Sequence, residues 1–159
     1  MSLEHEVRRS LEALAPFSLG NHTLAAAAGD QRLECDLTAL DRLACEFTRF
    51  ELSSQRLSQA GIDELKRVSE ALSKRLTYLL EPISPIEVDA QQCVVQLRSN
   101  PPARDEQATS YYELLVRRGG HLSLARWVKD AGNVRRPLPA QVTRQVLLRL
   151  VGDFSAVAG

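Results

Sequence analysis

The densest concentration of chemistry-bearing side chains in this 159-residue sequence lies between residues 111 and 136. Arg117, Arg118, His121, Arg126 and Lys129 fall on two apolar-rich runs around Gly119-Gly120, and Arg135 and Arg136 follow directly. Tyr111, Tyr112 and Trp127 lie on the same two runs. Guanidinium groups pair with phosphates and aromatic rings stack on bases, so single-stranded RNA or DNA could use this interleaving. The plainer use is structural, with arginines flanking a solvated turn and aromatics filling a core. On strand alternation Trp127 shares a face with His121, Ser123 and Ala125, while Leu122, Leu124 and Val128 face the other way with Arg126 among them. That mixed pattern leaves Trp127 either partly exposed or covered by a helix or a second subunit. Arg117, Arg118, His121, Arg126, Trp127, Arg135 and Arg136 are therefore the candidate interaction surface.

Other chemistry is thinner. The histidines are His5, His22 and His121, far apart in sequence, so an enzymatic site would have to be assembled by the fold, with His121 as its centre. Cys35, Cys45 and Cys93 are an odd number at wide spacing, with no CxxC or Cys/His pair at metal-ligand spacing. They read as reduced, buried, small apolar residues. The carboxylate pairs Glu34/Asp36, Asp63/Glu64 and Asp105/Glu106 fall on a strand's polar face, a helix start and a loop. The phosphate-loop, dinucleotide, nucleophile-elbow, zinc-protease and calcium-loop signatures are all lacking. No catalytic residue, cofactor or metal is expected.

The elements that position these residues follow from periodicity. Leu3, Val7, Leu11 and Leu14 form one helical face, with Ser2 as cap and Glu4 and Glu6 at the positive end, which predicts a helix over 3–15. Residues 22–28 read as a strand ending at Gly29-Asp30. Leu33, Cys35, Leu37 and Ala39 alternate with polar residues. After an Asp41-Arg42 turn, Leu43, Cys45 and Phe47 alternate, and the phase then shifts so that Phe50 and Leu52 continue it. A bulge near Thr48-Arg49 accounts for that shift, with a helix through this stretch as the competing reading. Ile62, Leu65, Val68, Leu72, Leu76 and Leu79 predict a helix over 62–80, with Pro82 as the stop. Ile86 and Val88, then Cys93, Val95 and Leu97, predict two strands around a Gln91-Gln92 turn. Residues 99–109 read as one long, mobile loop. Tyr111–Arg118 and His121–Lys129 form a hairpin around Gly119-Gly120. A last helix is predicted from Leu138-Pro139 to about 155, with Val142, Val146, Leu150 and Phe154 on its face.

The resulting order is α-βββ-α-ββββ-α. It implies an α+β class: an antiparallel sheet of about seven strands in two hairpin or meander groups, with three amphipathic helices packed on it. Residues 1–159 are expected to form a single domain. The order is loosely similar to that of the small dimeric chaperones of type III secretion and of roadblock-like adaptors, a fold-level analogy.

Bulk composition adds limits. Apolar residues make up 44% and charged residues 25%, ordinary globular usage that excludes intrinsic disorder. Apolar runs are too short for a membrane-spanning helix. Net charge is +0, yet residues 1–90 carry 10 basic and 15 acidic side chains, whereas residues 91–159 carry 10 and 5. The halves neutralise each other if they share one folded surface. Glu4, Glu6 and Glu12 interrupt the start, so no secretory signal is expected and the cytoplasm is the expected compartment. The strands carry apolar residues on both faces, more than three helices cover, which points to homodimerisation. The reading of first choice is a non-enzymatic protein-binding, adaptor or chaperone-like module with a protein partner. A nucleic-acid-binding module using hairpin 111–136 and an enzyme centred near His121 are the alternatives.

Overall fold

Chain order begins as the sequence pattern requires. In the computed structural model, which describes residues 2–14, 18–105, 108–130, 132 and 134–159, helix α1 spans Leu3–Ala13. The Ser2 hydroxyl accepts from the His5 amide at 3.1 Å, and Leu3, Val7 and Leu11 are buried. Strands β1 (Ser18–Ala28), β2 (Gln31–Leu40) and β3 (Ala44–Ser54) form an antiparallel meander. The expected bulge is present: Asp36 pairs with Arg49 and Leu37 with Phe47, so Thr48 has no partner on β2. This extra residue returns Phe47, Phe50 and Leu52 to one buried face. Leu43, read as the start of that strand, instead sits in the preceding turn and is 78% exposed. The Asp41 carboxylate holds the turn by accepting from the Leu43 and Ala44 amides, which also holds its pKa below the usual range.

Helix α2 covers Ile62–Arg75, shorter than the expected 62–80. The apolar stripe continues because Leu76 and Leu79 are buried even though they follow the helix. Tyr78 is drawn toward the last helix, where its hydroxyl donates to Asp153 at 2.7 Å. α2 thus ends well before Pro82, and farther along the connector Leu80 takes φ +66°, a left-handed conformation.

Strands β4 (Ile83–Asp89) and β5 (Val94–Ser99) pair around a turn, and Cys93 (φ +56°) belongs to that turn rather than to the strand. Within the expected loop 99–109, Ala103–Arg104 form a short strand, β6, on β7 (Ala108–Arg117); Glu106 and Gln107 lie outside the described residues. β7 pairs with β8 (His121–Asp130) from Ala108↔Asp130 to Arg117↔His121. Gly119 and Gly120 both have positive φ, and a Cβ on Gly120 would lie 2.2 Å from the Ser54 carbonyl oxygen. Only glycine fits there.

The expected final helix over 138–155 is replaced at its start. Residues Arg135–Pro137 form β9 on β8, and Ala140–Thr143 form β10 on β3. Leu138-Pro139 is the bend between them. Helix α3 begins only at Arg144 and runs to Ala158, with the Thr143 hydroxyl capping it by accepting from Val146 N–H at 3.0 Å.

Among the described residues the sheet therefore has ten strands rather than about seven, in the order β1-β2-β3-β8-β7-β5-β4, with β10 on β3, β9 on β8 and β6 on β7. The three extra strands are two to four residues long, too short for a period-two signal. The α+β class and the helix–strand order stand. All three helices pack against one face of the sheet. Leu65, Val68 and Leu72 of α2 and Leu147, Leu150, Val151 and Phe154 of α3 meet Leu33, Leu37, Phe50, Leu52, Leu114 and Leu124 in the core. Phe154 meets Phe50 edge-on at 4.9 Å. The opposite face is polar: Arg49 binds Glu34 at 2.6 Å and Asp36 at 3.0 Å. The Arg49 guanidinium, then Arg32, holds the Glu34 carboxyl below its usual range. No helix among the described residues is long and apolar enough to cross a membrane.

Leu72 is fully buried at the centre of α2's face. Leu72→Ala is expected to lower unfolding free energy by about 2–5 kcal/mol, through lost burial plus the cavity left behind. Urea denaturation followed by circular dichroism measures it, and a loss below roughly 0.5 kcal/mol would remove this residue from the core.

Candidate functional site

The seven candidate residues are not gathered on one surface. Register places Arg117, His121, Trp127 and Arg135 on the open face of the sheet, and Arg126 and Arg136 toward the helix side. Arg118 is exposed in the hairpin turn. Arg117 and His121 lie at one end of the hairpin; six residues along β8, Trp127 lies roughly 20 Å away at strand rise. The arginines are also engaged: Arg117 with Glu51 at 3.3 Å, Arg126 with Glu81 at 2.9 Å, Arg135 with Glu113 at 2.8 Å and Arg136 with Asp130 at 3.8 Å. The acidic first half and basic second half thus interleave within one sheet.

Trp127 is partly exposed, the first of the two expected alternatives, and Arg135 lies over its ring with the guanidinium 3.9 Å from the centroid. The same guanidinium donates to Glu113, a carboxylate only 5% exposed although it faces away from the helices. Gln96 donates to Glu113 at 2.7 Å, and Arg98 stacks on Tyr111 at 4.8 Å. One face of the Trp127 ring and one face of the Tyr111 ring are thus covered by arginines, and Arg135 is held on Glu113 within the sheet.

His121 does meet nucleophile-type neighbours. Its Nδ1 lies 3.2 Å from Ser53 Oγ and 3.3 Å from Glu51 Oε1. Both partners approach the same ring nitrogen. A relay needs the carboxylate on one nitrogen and the hydroxyl on the other, so that the base can take the hydroxyl proton. Here Nε2 lies instead beside Gly119. Glu51 and Ser53 stand on β3 and His121 on β8, so these contacts tie the two strands together. Cys35 and Cys45 are buried and free; burial pushes the Cys45 thiol up to about 11 and the Cys35 thiol higher. Neither is a nucleophile at neutral pH. No group of three or more His, Cys, Asp or Glu side chains among the described residues could hold a metal ion.

A different place has the form of a binding site. A cavity of about 610 Å³ opens on the helix side, where the 76–82 connector, β7, β8, β10 and the start of α3 meet. Arg126 is at its floor. It pairs with Glu81, with both side chains 14% exposed, donates to Ser110 Oγ at 2.9 Å, and lies 4.6 Å from the centroid of Tyr112. Burial raises the Tyr112 phenol's pKa. Glu81 Oε2 receives the arginine, while Glu81 Oε1 is buried with no hydrogen-bond partner. Such an acceptor costs on the order of 1–3 kcal/mol until something donates to it. Leu79, Leu80, Leu138, Pro139, Val142 and Val146 line the rest of the opening along with Tyr78. Leu80 is 96% exposed.

Of the candidate residues, only Arg126 belongs to this cavity. Its position among Leu122, Leu124 and Val128 on the apolar face of β8 was the available signal. Glu81 carried none, since it lies between the expected end of a helix and the next strand. No family model, curated protein or solved structure matches the chain.

The ion pair generates a two-part expectation. Arg126→Ala, which leaves Glu81 buried and uncompensated, should cost about 3 kcal/mol in urea unfolding. Removing both charges in Arg126→Met/Glu81→Leu should recover most of that loss. Equal losses in the single and double variants would show that the pair carries no mutual compensation.

Proposed function

We propose that this chain is a small cytoplasmic protein-binding module of the adaptor or chaperone-like kind, non-enzymatic and homodimeric, which holds its partner protein in the cavity between the Glu81–Arg126 pair and β10. The observation that carries this reading is the opening itself. An apolar rim surrounds a buried, half-satisfied ion pair, and Leu80 stands almost wholly in solvent at φ +66°. Left-handed geometry costs a non-glycine residue roughly 1–2 kcal/mol, and an apolar side chain gains nothing from exposure. A partner that covers Leu80 recovers that burial.

Mutual pairing of the arginines favours a protein partner over nucleic acid. Two buried, unbridged thiols suit a reducing compartment. Homodimerisation is supported at the sheet's edge, where Ile86 and Val88 of β4 are 48% and 43% exposed and a second copy would cover them.

Selection of displayed random peptides on the full chain tests the binding reading. Enrichment of sequences whose binding is lost in Leu80→Asn is expected, because asparagine tolerates left-handed geometry and preserves the fold. No enrichment, or enrichment indifferent to Leu80, would overturn it. Light scattering at micromolar concentration is expected to return twice the 17.7 kDa chain mass, falling toward the monomer in Ile86→Lys; a monomeric wild type refutes the dimer.

A further inference from the structure

We infer that residues 135–143, strands β9 and β10 with the Leu138-Pro139 bend between them, form a strap that opens as a unit while the rest of the sheet stays folded. In the open state residues 140–143 join α3 as its first turn. The inference holds whatever occupies the cavity. Three observations carry it.

The first is a conflict between sequence and fold. Pro139, followed by Val142, Val146, Leu150 and Phe154 at steps of four, writes a helix that begins near 139. Ala140–Thr143 is nevertheless a strand on β3, and α3 starts only at Arg144 with Thr143 as its cap. Local pattern supports one conformation of these four residues, and the edge of β3 supports the other. The second is how little holds the closed form. All three β9 residues are exposed, and β10 buries only Ala140 and Val142. Arg135 adds its contacts to Glu113 and Trp127. The remaining side-chain ties lie at the surface: Gln141 donates to Glu46, Arg144 donates to the Asp41 carbonyl, and Arg136 pairs with Asp130. A segment with so few buried apolar contacts opens locally, well below the cost of global unfolding. The third is length. Turning four extended residues into helix shortens the chain by roughly 7 Å. A bend of two residues does not make up that length, so β9 leaves β8 when β10 leaves β3. Leu138, Pro139 and Val142 line the cavity, so opening takes away one wall of it and bares the Ala44–Phe47 edge of β3.

The chain carries its own probes. Cys45 stands directly opposite Val142 and is 2% exposed, whereas Cys35 is fully buried on β2, between β1 and β3. Trypsin cuts after Arg32, Arg42 and Arg49, so the two thiols fall in separate peptides. N-ethylmaleimide labelling of the full chain under native conditions, read by peptide mass, should modify Cys45 at least about 10-fold faster than Cys35, at a rate insensitive to low urea. Equal rates that rise together with urea would mean that both thiols are reached only by global unfolding, which overturns the strap. Thr143→Ala, checked for folding by circular dichroism, separates a helical open state from a merely detached one. Thr143 caps α3 in the closed state and lies inside the helix in the open one, so loss of the cap destabilises only the closed state. Cys45 labelling should accelerate roughly 5-fold, the worth of an N-cap. An unchanged rate means that α3 still starts at Arg144 after opening and overturns the helical switch. Hydrogen exchange at the Leu138 amide, which donates to the Arg126 carbonyl, should accelerate by the same factor. Exchange there that ignores Thr143→Ala while Cys45 responds shows β9 staying on β8 and overturns opening as a unit.

Discussion

The unpaired residue at Thr48 is the constraint on which the rest of this molecule turns. It lies between the two halves of β3 that take different partners: Ala44–Phe47 pair with β10, and Phe50–Ser53 pair with β8. A bulge bends its strand and increases local twist. β3 and β8 consequently stay together for only four residue pairs and then part. Backbone donors and acceptors exposed by that parting must be satisfied. The chain between β8 and α3 does so by folding back as a wedge. β9 pairs with Trp127–Lys129 of β8, Leu138 N–H donates to the Arg126 carbonyl at 3.0 Å, and β10 takes the other half of β3. The expected N-terminal turns of the last helix were spent on this wedge.

Several distant features follow from it. Arg126 sits on β8 where its partner changes, and it points to the helix side among leucines. A guanidinium in such a place needs a carboxylate, and Glu81 on the 76–82 connector supplies one. The connector is therefore non-helical: it must carry Leu76 and Leu79 into the core, Tyr78 to Asp153 and Glu81 to Arg126 within six residues. Leu80 is left outside at positive φ. The cavity opens where wedge and connector both lie beside β7 and β8.

The open face of the sheet follows a different logic. With three helices on one side, the other must tolerate water, and it does so with cross-strand pairs of opposite charge. Arg49 serves Glu34 and Asp36, Arg117 serves Glu51, and Arg135 and Arg98 enclose Glu113. Residues that looked like a basic stripe are distributed through this lattice. Arg117–Glu51 and Arg126–Glu81 join the basic half to the acidic half, while Arg98 and Arg135 pair with Glu113 within the basic half.

Much of this was legible from local pattern. The helical stripes of α1 and α2, the meander, the Thr48 phase shift and the Gly119-Gly120 turn each arise from neighbours a few residues apart, whose spacing is preserved in the fold. The sequence therefore determined the class, the element order, the buried face of the long strands and Arg126 as an anomaly on an apolar face. Tertiary structure alone decided where α2 stops, because Leu76 and Leu79 are buried in either geometry and the choice is made by Tyr78 and Glu81 reaching distant partners. It alone decided that Ala140–Thr143 is a strand, since a four-residue segment takes its conformation from the edge that receives it, here β3. The site has the same origin. Glu81 and Arg126 lie 45 positions apart on elements with no local signal for each other. Their pairing, and the carboxylate oxygen left without a donor, exist only because the bulge in β3 opened the sheet at that point.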